Sequence, residues 1–198
     1  MKRTLIGLLA LVLVAASVQA VPIVDLLGDK DGYGVGCPAD AHYTSYGAYW
    51  ADYRTGSDPA FTDYWYTGDK SWTHAVDLTG ITPASASLEV MIAGIADYDT
   101  WSADIIINGF TIATIPGISV APDGGVPHDW SRLFVFNIPT WALGALATGV
   151  TVDVSESGDG YIVDYSQLTV EPIPEPTTMV LFGLGLAGVA LRRRFASK

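Results

Sequence analysis

Apolar and polar residues alternate with period two along much of the second half of the chain, and that alternation predicts β-strands. Leu88, Val90 and Ile92 share one face of residues 87–95. Residues 132–138 set Leu133, Val135 and Asn137 opposite Phe134 and Phe136, and Val150, Val152 and Val154 alternate with Thr151 and Asp153. Residues 161–170 predict a final strand. Asn108-Gly109 between two apolar runs is a strong hairpin signal, because both residues tolerate positive φ. Pro83, Pro116, Pro122, Pro127 and Pro139 punctuate these runs, and residues 141–146 predict a short helix. No repeat is visible, which argues against a solenoid. The pattern predicts an all-β body, an antiparallel β-sandwich, over residues 21–171.

Both ends depart from that pattern. Lys2 and Arg3 precede an apolar run at residues 5–14, and small residues follow as far as Val18-Gln19-Ala20. Residues 1–20 therefore read as a signal peptide with a helical core, cleaved after Ala20. At the other end Pro172, Pro174 and Pro176 make an extended linker, since proline fixes φ and removes a donor. Thirteen residues, 179–191, are then apolar or glycine, and Arg192, Arg193 and Arg194 follow. At ~1.5 Å per residue such a helix reaches about 20 Å, short of the ~30 Å hydrocarbon core unless Thr177, Thr178 and snorkelling arginines extend it. The expectation is a short C-terminal transmembrane helix with its arginines on the cytoplasmic side. The chain thus divides into a signal peptide (1–20), a β-sandwich (21–171) and a C-terminal segment (172–198).

The motif Pro174-Glu175-Pro176, the glycine-rich apolar run and the cluster Arg192, Arg193 and Arg194 together resemble the PEP-CTERM sorting signal of Gram-negative bacteria. Ile173 stands where valine is more usual. The resemblance implies recognition and cleavage by an exosortase, with a transient inner-membrane anchor. It also implies a final place at the cell surface or outside the cell, in an exopolysaccharide or biofilm matrix. The body, through the strand entry at Asp77-Leu78, the Asn108-Gly109 hairpin and Asp164 before the last strand, resembles a galactose-binding-like β-jelly roll. Such modules are mostly non-enzymatic binders of sugars, cell surfaces or partner proteins.

Charge sharpens this picture. The net charge is −11, but six of the ten basic residues lie at the two ends. Residues 21–175 hold four basic residues against all twenty-one acids, a net −17. A body this acidic excludes non-specific binding to nucleic acid and suits cations. Asp25, Asp29 and Asp31 lie near one end of the body, and Asp159 and Asp164 near the other. First and last strands often pair in a sandwich, which would bring the two groups together. Two readings fit them: a calcium site, since calcium takes six to eight oxygen ligands, or solvated acidic turns. The spacing is not that of an EF-hand loop.

Aromatic residues concentrate between Tyr43 and Trp72. Tyr49, Trp50, Trp65 and Trp72 are candidates for stacking on carbohydrate; ordinary packing of large rings over the core is the other reading. Trp101, Trp130 and Trp141 are expected to pack in the core or against loops. No nucleophile, zinc-protease, phosphate-loop or dinucleotide signature is present, so a non-enzymatic role is expected. A secreted glycan-active hydrolase is the alternative, requiring two facing carboxylates in a cleft. Cys37 is the single cysteine, which excludes an intrachain disulfide.

Overall fold

The computed structural model describes residues 20–42, 62–63, 65–96, 101–156 and 160–173, without the side chains of Val35, Trp65 and His128. The proposed signal helix and the apolar run 179–191 lie outside the described residues. Among the described residues no helix is long and apolar enough to cross a membrane. Pro22–Glu171 packs as one compact unit.

Among the described residues ten strands build two sheets. They are β1 (Ile23–Gly28), β2 (Ala41–His42), β3 (Trp65–Tyr66), β4 (Lys70–His74), β5 (Pro83–Ala93), β6 (Ser102–Ile107), β7 (Phe110–Pro116), β8 (Trp130–Asn137), β9 (Val150–Ser155) and β10 (Tyr161–Pro172). One sheet runs β1-β10-β5-β8-β2, with β3 also on β10; the other runs β4-β9-β6-β7. The first and last strands pair antiparallel over their whole overlap, Ile23 opposite Val170 and Gly28 opposite Tyr165. The architecture is the antiparallel sandwich that the alternation predicts. The predicted hairpin joins β6 to β7, with Asn108 at φ 50° and Gly109 at φ 77°. The predicted helix is a 3-10 helix over Thr140–Thr148.

The core lies between the sheets. Leu88, Val90 and Ile92 of β5 meet Ala103, Ile105 and Ile107 of β6 and Val150, Val152 and Val154 of β9, all essentially without exposure. Each such aliphatic side chain contributes ~1.5–3 kcal/mol by leaving water. A second, smaller cluster of Tyr33, Met91, Ala93, Ile162 and Tyr165 forms elsewhere, with Cys37 and Leu133 packed on it.

Strand β10 serves both clusters. Tyr161, Val163, Leu168 and Val170 pack into the main core, while Ile162 and Tyr165 pack into the second cluster. Val163 and Leu168 are five positions apart, an odd spacing that strict alternation would send to opposite faces. The alternation therefore shifts by one residue between them, as at a β-bulge. Asp164 falls inside this shift.

Two positions on, Ser166 joins a buried polar relay. His74 of β4 bonds Ser166 Oγ through Nε2 at 2.7 Å and Asp25 Oδ2 through Nδ1 at 3.1 Å. Asp25 Oδ2 also accepts from the Ala75 amide at 3.0 Å. His74 and Ser166 have no exposure. Burial depresses the His74 pKa despite the opposing charge of Asp25, so the ring is neutral. A carboxylate only accepts, so Nδ1 carries the proton and Nε2 accepts from Ser166. The relay ties β1 and β10 of one sheet to β4 of the other.

His74→Ala is expected to lower stability by about 3 kcal/mol, because it takes the partner from buried Ser166 and opens a cavity. A depressed histidine pKa means that the unfolded chain gains the proton first as pH falls below ~6.5. Urea unfolding of the wild type should therefore lose stability from pH 7.5 to 5.5 more steeply than His74→Ala does.

Candidate metal centre

The site forms where β1 leaves β10. Gly28 ends β1 at φ 89°, and a Cβ there would stand 2.3 Å from the Asp164 carbonyl oxygen and 2.7 Å from Thr62 Cγ2. Only glycine permits that approach. Beyond Gly28 the chain turns sharply. The Asp31 side chain accepts the Gly34 amide at 2.6 Å, and the Asp31 and Gly32 carbonyls accept the amides of Gly36 and Cys37, each at 3.1 Å. Tyr33 takes a left-handed conformation, φ 62°, which costs a non-glycine residue ~1–2 kcal/mol. The turn drives the Tyr33 ring into the second cluster, where its hydroxyl meets Ser131 Oγ at 2.9 Å.

Past Gly28, residues near β3 take over the pairing along β10. The Asp63 amide donates to the Val163 carbonyl at 2.8 Å, and Trp65 pairs with Ile162. Asp63 is also left-handed, φ 57°, and has no exposure. Its carboxylate joins those of Asp29, Asp31 and Asp164, and one oxygen from each of the four lies within 4.8 Å of all the others.

Asp164 is the most constrained member. It is 1% exposed; Oδ1 accepts the Tyr33 amide at 2.7 Å, and Oδ2 is buried without a hydrogen-bond partner. Burial, followed by the charges of Asp31 and Asp29, raises its pKa to about 7 against the opposing amides of Tyr33 and Gly32. Among the described residues, the lysine adjacent to the cluster in sequence turns elsewhere. Lys30 lies between Asp29 and Asp31 in sequence, yet its ammonium pairs with Glu89 at 3.1 Å and sits 4.3 Å over the Tyr165 ring. Lys70 lies over Tyr66, and Arg132 lies beside Asp40 and Phe134.

The donor set is all carboxylate oxygen, the chemistry of a hard cation and not of zinc or copper. Two oxygens across a calcium ion stand about 4.8 Å apart, twice a Ca–O distance of ~2.4 Å, so four oxygens all within that separation are near enough to share one ion.

The structure thus brings Asp29, Asp31 and Asp164 together and corrects two other expectations. Asp25 is not part of the cluster, because the relay to His74 and the Ala75 amide claims its carboxylate. Trp72 does not offer a stacking face: it faces the core from β4 opposite Val152 and is 6% exposed. Asp159, Tyr49 and Trp50 lie outside the described residues, as does the Trp65 side chain. Asp63 was invisible in the sequence. It stands alone among aromatics, with no acidic neighbour or glycine turn to mark it. Cys37 is half-buried beside this loop, and burial raises its thiol pKa.

With the geometry in place, comparison with known proteins identifies the C-terminal segment. The chain carries a PEP-CTERM protein-sorting motif at residues 172–194. That motif implies export and membrane-associated sorting, with exosortase-mediated processing in general. Among solved structures, dimeric latent PorU from Porphyromonas gingivalis is similar at 10% identity and TM-score 0.44, over 79% of this chain and 14% of that one. A carbohydrate-binding module of Cellvibrio mixtus lichenase 5A, in complex with cellotriose, is similar at 14% identity and TM-score 0.29, over 52% of this chain and 70% of that one. No curated protein matches the sequence.

Gly28→Ala is expected to cost about 2 kcal/mol or more, since it adds both a clash and a disfavoured φ. Denaturant midpoints compare it with Gly36→Ala, where φ is 72° but a Cβ meets nothing within 4 Å. The Gly28 variant should be clearly the weaker.

Proposed function

We propose that the protein is an exported surface or extracellular-matrix component of a Gram-negative cell, with a non-enzymatic body that binds calcium through Asp29, Asp31, Asp63 and Asp164. The C-terminal segment holds it in the inner membrane until an exosortase removes the tail. The observation that carries the calcium reading is Asp164 Oδ2: buried, without a hydrogen-bond partner, and part of a four-carboxylate cluster. A buried carboxylate among like charges needs a proton or a cation to offset its desolvation. The ion would fasten the turn at residues 29–37 to β10 and thereby hold Tyr33 in the second cluster.

Ser166, His74 and Asp25 stand in the order of a hydrolase triad, but Ser166 and His74 have no exposure and no substrate carbonyl reaches that hydroxyl. A relay closed in this way serves packing.

Saturating calcium is expected to raise the melting temperature by about 5–10 °C, as binding at 100 times Kd adds ~2.7 kcal/mol. Chelator should reverse the shift, and Asp164→Asn should abolish it. No shift with calcium or chelator, or a full shift in Asp164→Asn, would overturn the reading. In chelator the folded chain holds the Asp164 proton up to about 7, whereas an unfolded aspartate releases it near ~3.9. The fold therefore binds more protons in that window, and its stability falls as pH rises from ~4 to ~7. Asp164→Asn should show a flatter profile there.

For the tail, replacing Pro174, Glu175 and Pro176 with alanine should leave the full-length chain in the membrane fraction. An unchanged mature mass and location would sink the sorting assignment.

A further inference from the structure

Most large apolar side chains in the described residues are buried, but two aromatic rings are displayed together. Phe110 is 63% exposed and Trp141 is 65% exposed. Their ring centroids are 6.5 Å apart and their planes meet at 90°. Of the two places expected for Trp141, in the core or against loops, the core is excluded by its exposure. The reason is local: Ala142, Leu143 and Leu146 take the inward side of the 3-10 helix and leave Trp141 outside.

Both rings stand on fixed backbone. Phe110 opens β7 immediately after the Asn108-Gly109 turn and pairs with Ile107, whose side chain is in the core. Trp141 lies in the first turn of the helix, where the Ala142 amide donates to the Pro139 carbonyl at 2.9 Å. The rings therefore need little ordering on binding, which lowers the entropic cost.

The two segments that carry the rings, residues 105–113 and 139–149, contain no Asp, Glu, Lys or Arg, although residues 21–175 carry a net −17. Exposed Asn108, Thr111 and Thr140 supply neutral hydrogen-bonding groups, and exposed Gly144 leaves open space beside the helix.

We propose that Phe110 and Trp141 form a stacking platform for a neutral hexopyranose unit of a polysaccharide. The C–H face of a pyranose is weakly positive and the face of an aromatic ring weakly negative, so the two attract as they exclude water. Two perpendicular rings make a corner: one carries the sugar face and the other flanks its edge. The absence of charged side chains on these two segments spares their ionic desolvation when a neutral sugar docks. The acidic body repels uronic-acid and phosphodiester polymers, which selects against anionic chains. This platform uses β7 and the helix, not β1 and β10, so it stands independently of the calcium site.

The test is isothermal titration of the full chain, in mild detergent, with neutral hexaoses of glucose, mannose and galactose and with oligogalacturonate. At least one neutral hexaose should bind, and oligogalacturonate should bind more weakly than it. Trp141→Ala should weaken binding about tenfold or more, and Phe110→Ala by less, as for truncating one anchor of a small contact. Both variants should keep the wild-type melting temperature, because the rings are exposed. Sugar affinity should be the same in saturating calcium and in chelator, which separates this proposal from the calcium reading. Absence of binding by every neutral hexaose at about 10 mM, or unchanged affinity in Trp141→Ala, overturns it. It is also overturned if the effect of Trp141→Ala is instead loss of self-association in size exclusion, or loss of binding to phosphatidylcholine vesicles.

Discussion

A buried carboxylate on the last strand organises one whole side of this molecule. Asp164 sits where β10 shifts its alternation, so its side chain leaves the main core and meets the turn that follows β1. Its Oδ1 holds the Tyr33 amide, and Tyr33 in turn fills the second cluster and reaches Ser131. Remove that anchor and the left-handed Tyr33 has less to hold it in place. Gly28 belongs to the same constraint, because β1 approaches the Asp164 backbone closely enough to exclude a side chain. The turn, the cluster and the strand pairing are therefore one cooperative unit.

Strand β10 resolves two buried polar groups in opposite ways. Ser166 donates to a neutral His74, whose other nitrogen donates to Asp25. Along that relay each bonding group has a matching donor or acceptor, and its effect is to pin one sheet to the other. Asp164, two residues earlier, keeps a buried oxygen without a hydrogen-bond partner and three carboxylates for neighbours. Buried polar groups in folded proteins are overwhelmingly satisfied, and each one that is not calls for an explanation such as strain or a bound ion. One strand thus carries both arrangements: Ser166 is satisfied, and Asp164 Oδ2 is without a hydrogen-bond partner.

Much of the sandwich was legible because period-two alternation reports which face a residue takes. Leu88, Val90, Ile92, Val150, Val152 and Val154 are all core positions, and Asn108-Gly109 is the turn it looked like. Asp29, Asp31 and Asp164 were legible as a meeting of the two ends, because pairing of first and last strands is a topological habit of sandwiches. Asp25 misled for the same reason. It lies on β1 close to the cluster, but a strand alternates, and its side chain is bonded to His74 of the other sheet. Asp63 was hidden because its contribution depends on where a distant segment rejoins β10, which no local pattern records. Trp141 was hidden because a short 3-10 helix has too few residues to show which side it buries.

The division of charge along the chain now has a spatial counterpart. Basic residues concentrate at the two ends, and residues 172–194 carry the sorting motif. The acidic body concentrates four carboxylates at one place and leaves residues 105–113 and 139–149 without charge at another. A uniformly acidic surface would serve solubility alone. Gathering carboxylates into a partly buried cluster raises the electrostatic cost of the fold, and leaving two aromatic rings in water forgoes burial that the core would reward. On the two proposals above, a cation at the first and an apolar-faced ligand at the second would offset those costs, which is the physical ground on which both proposals rest.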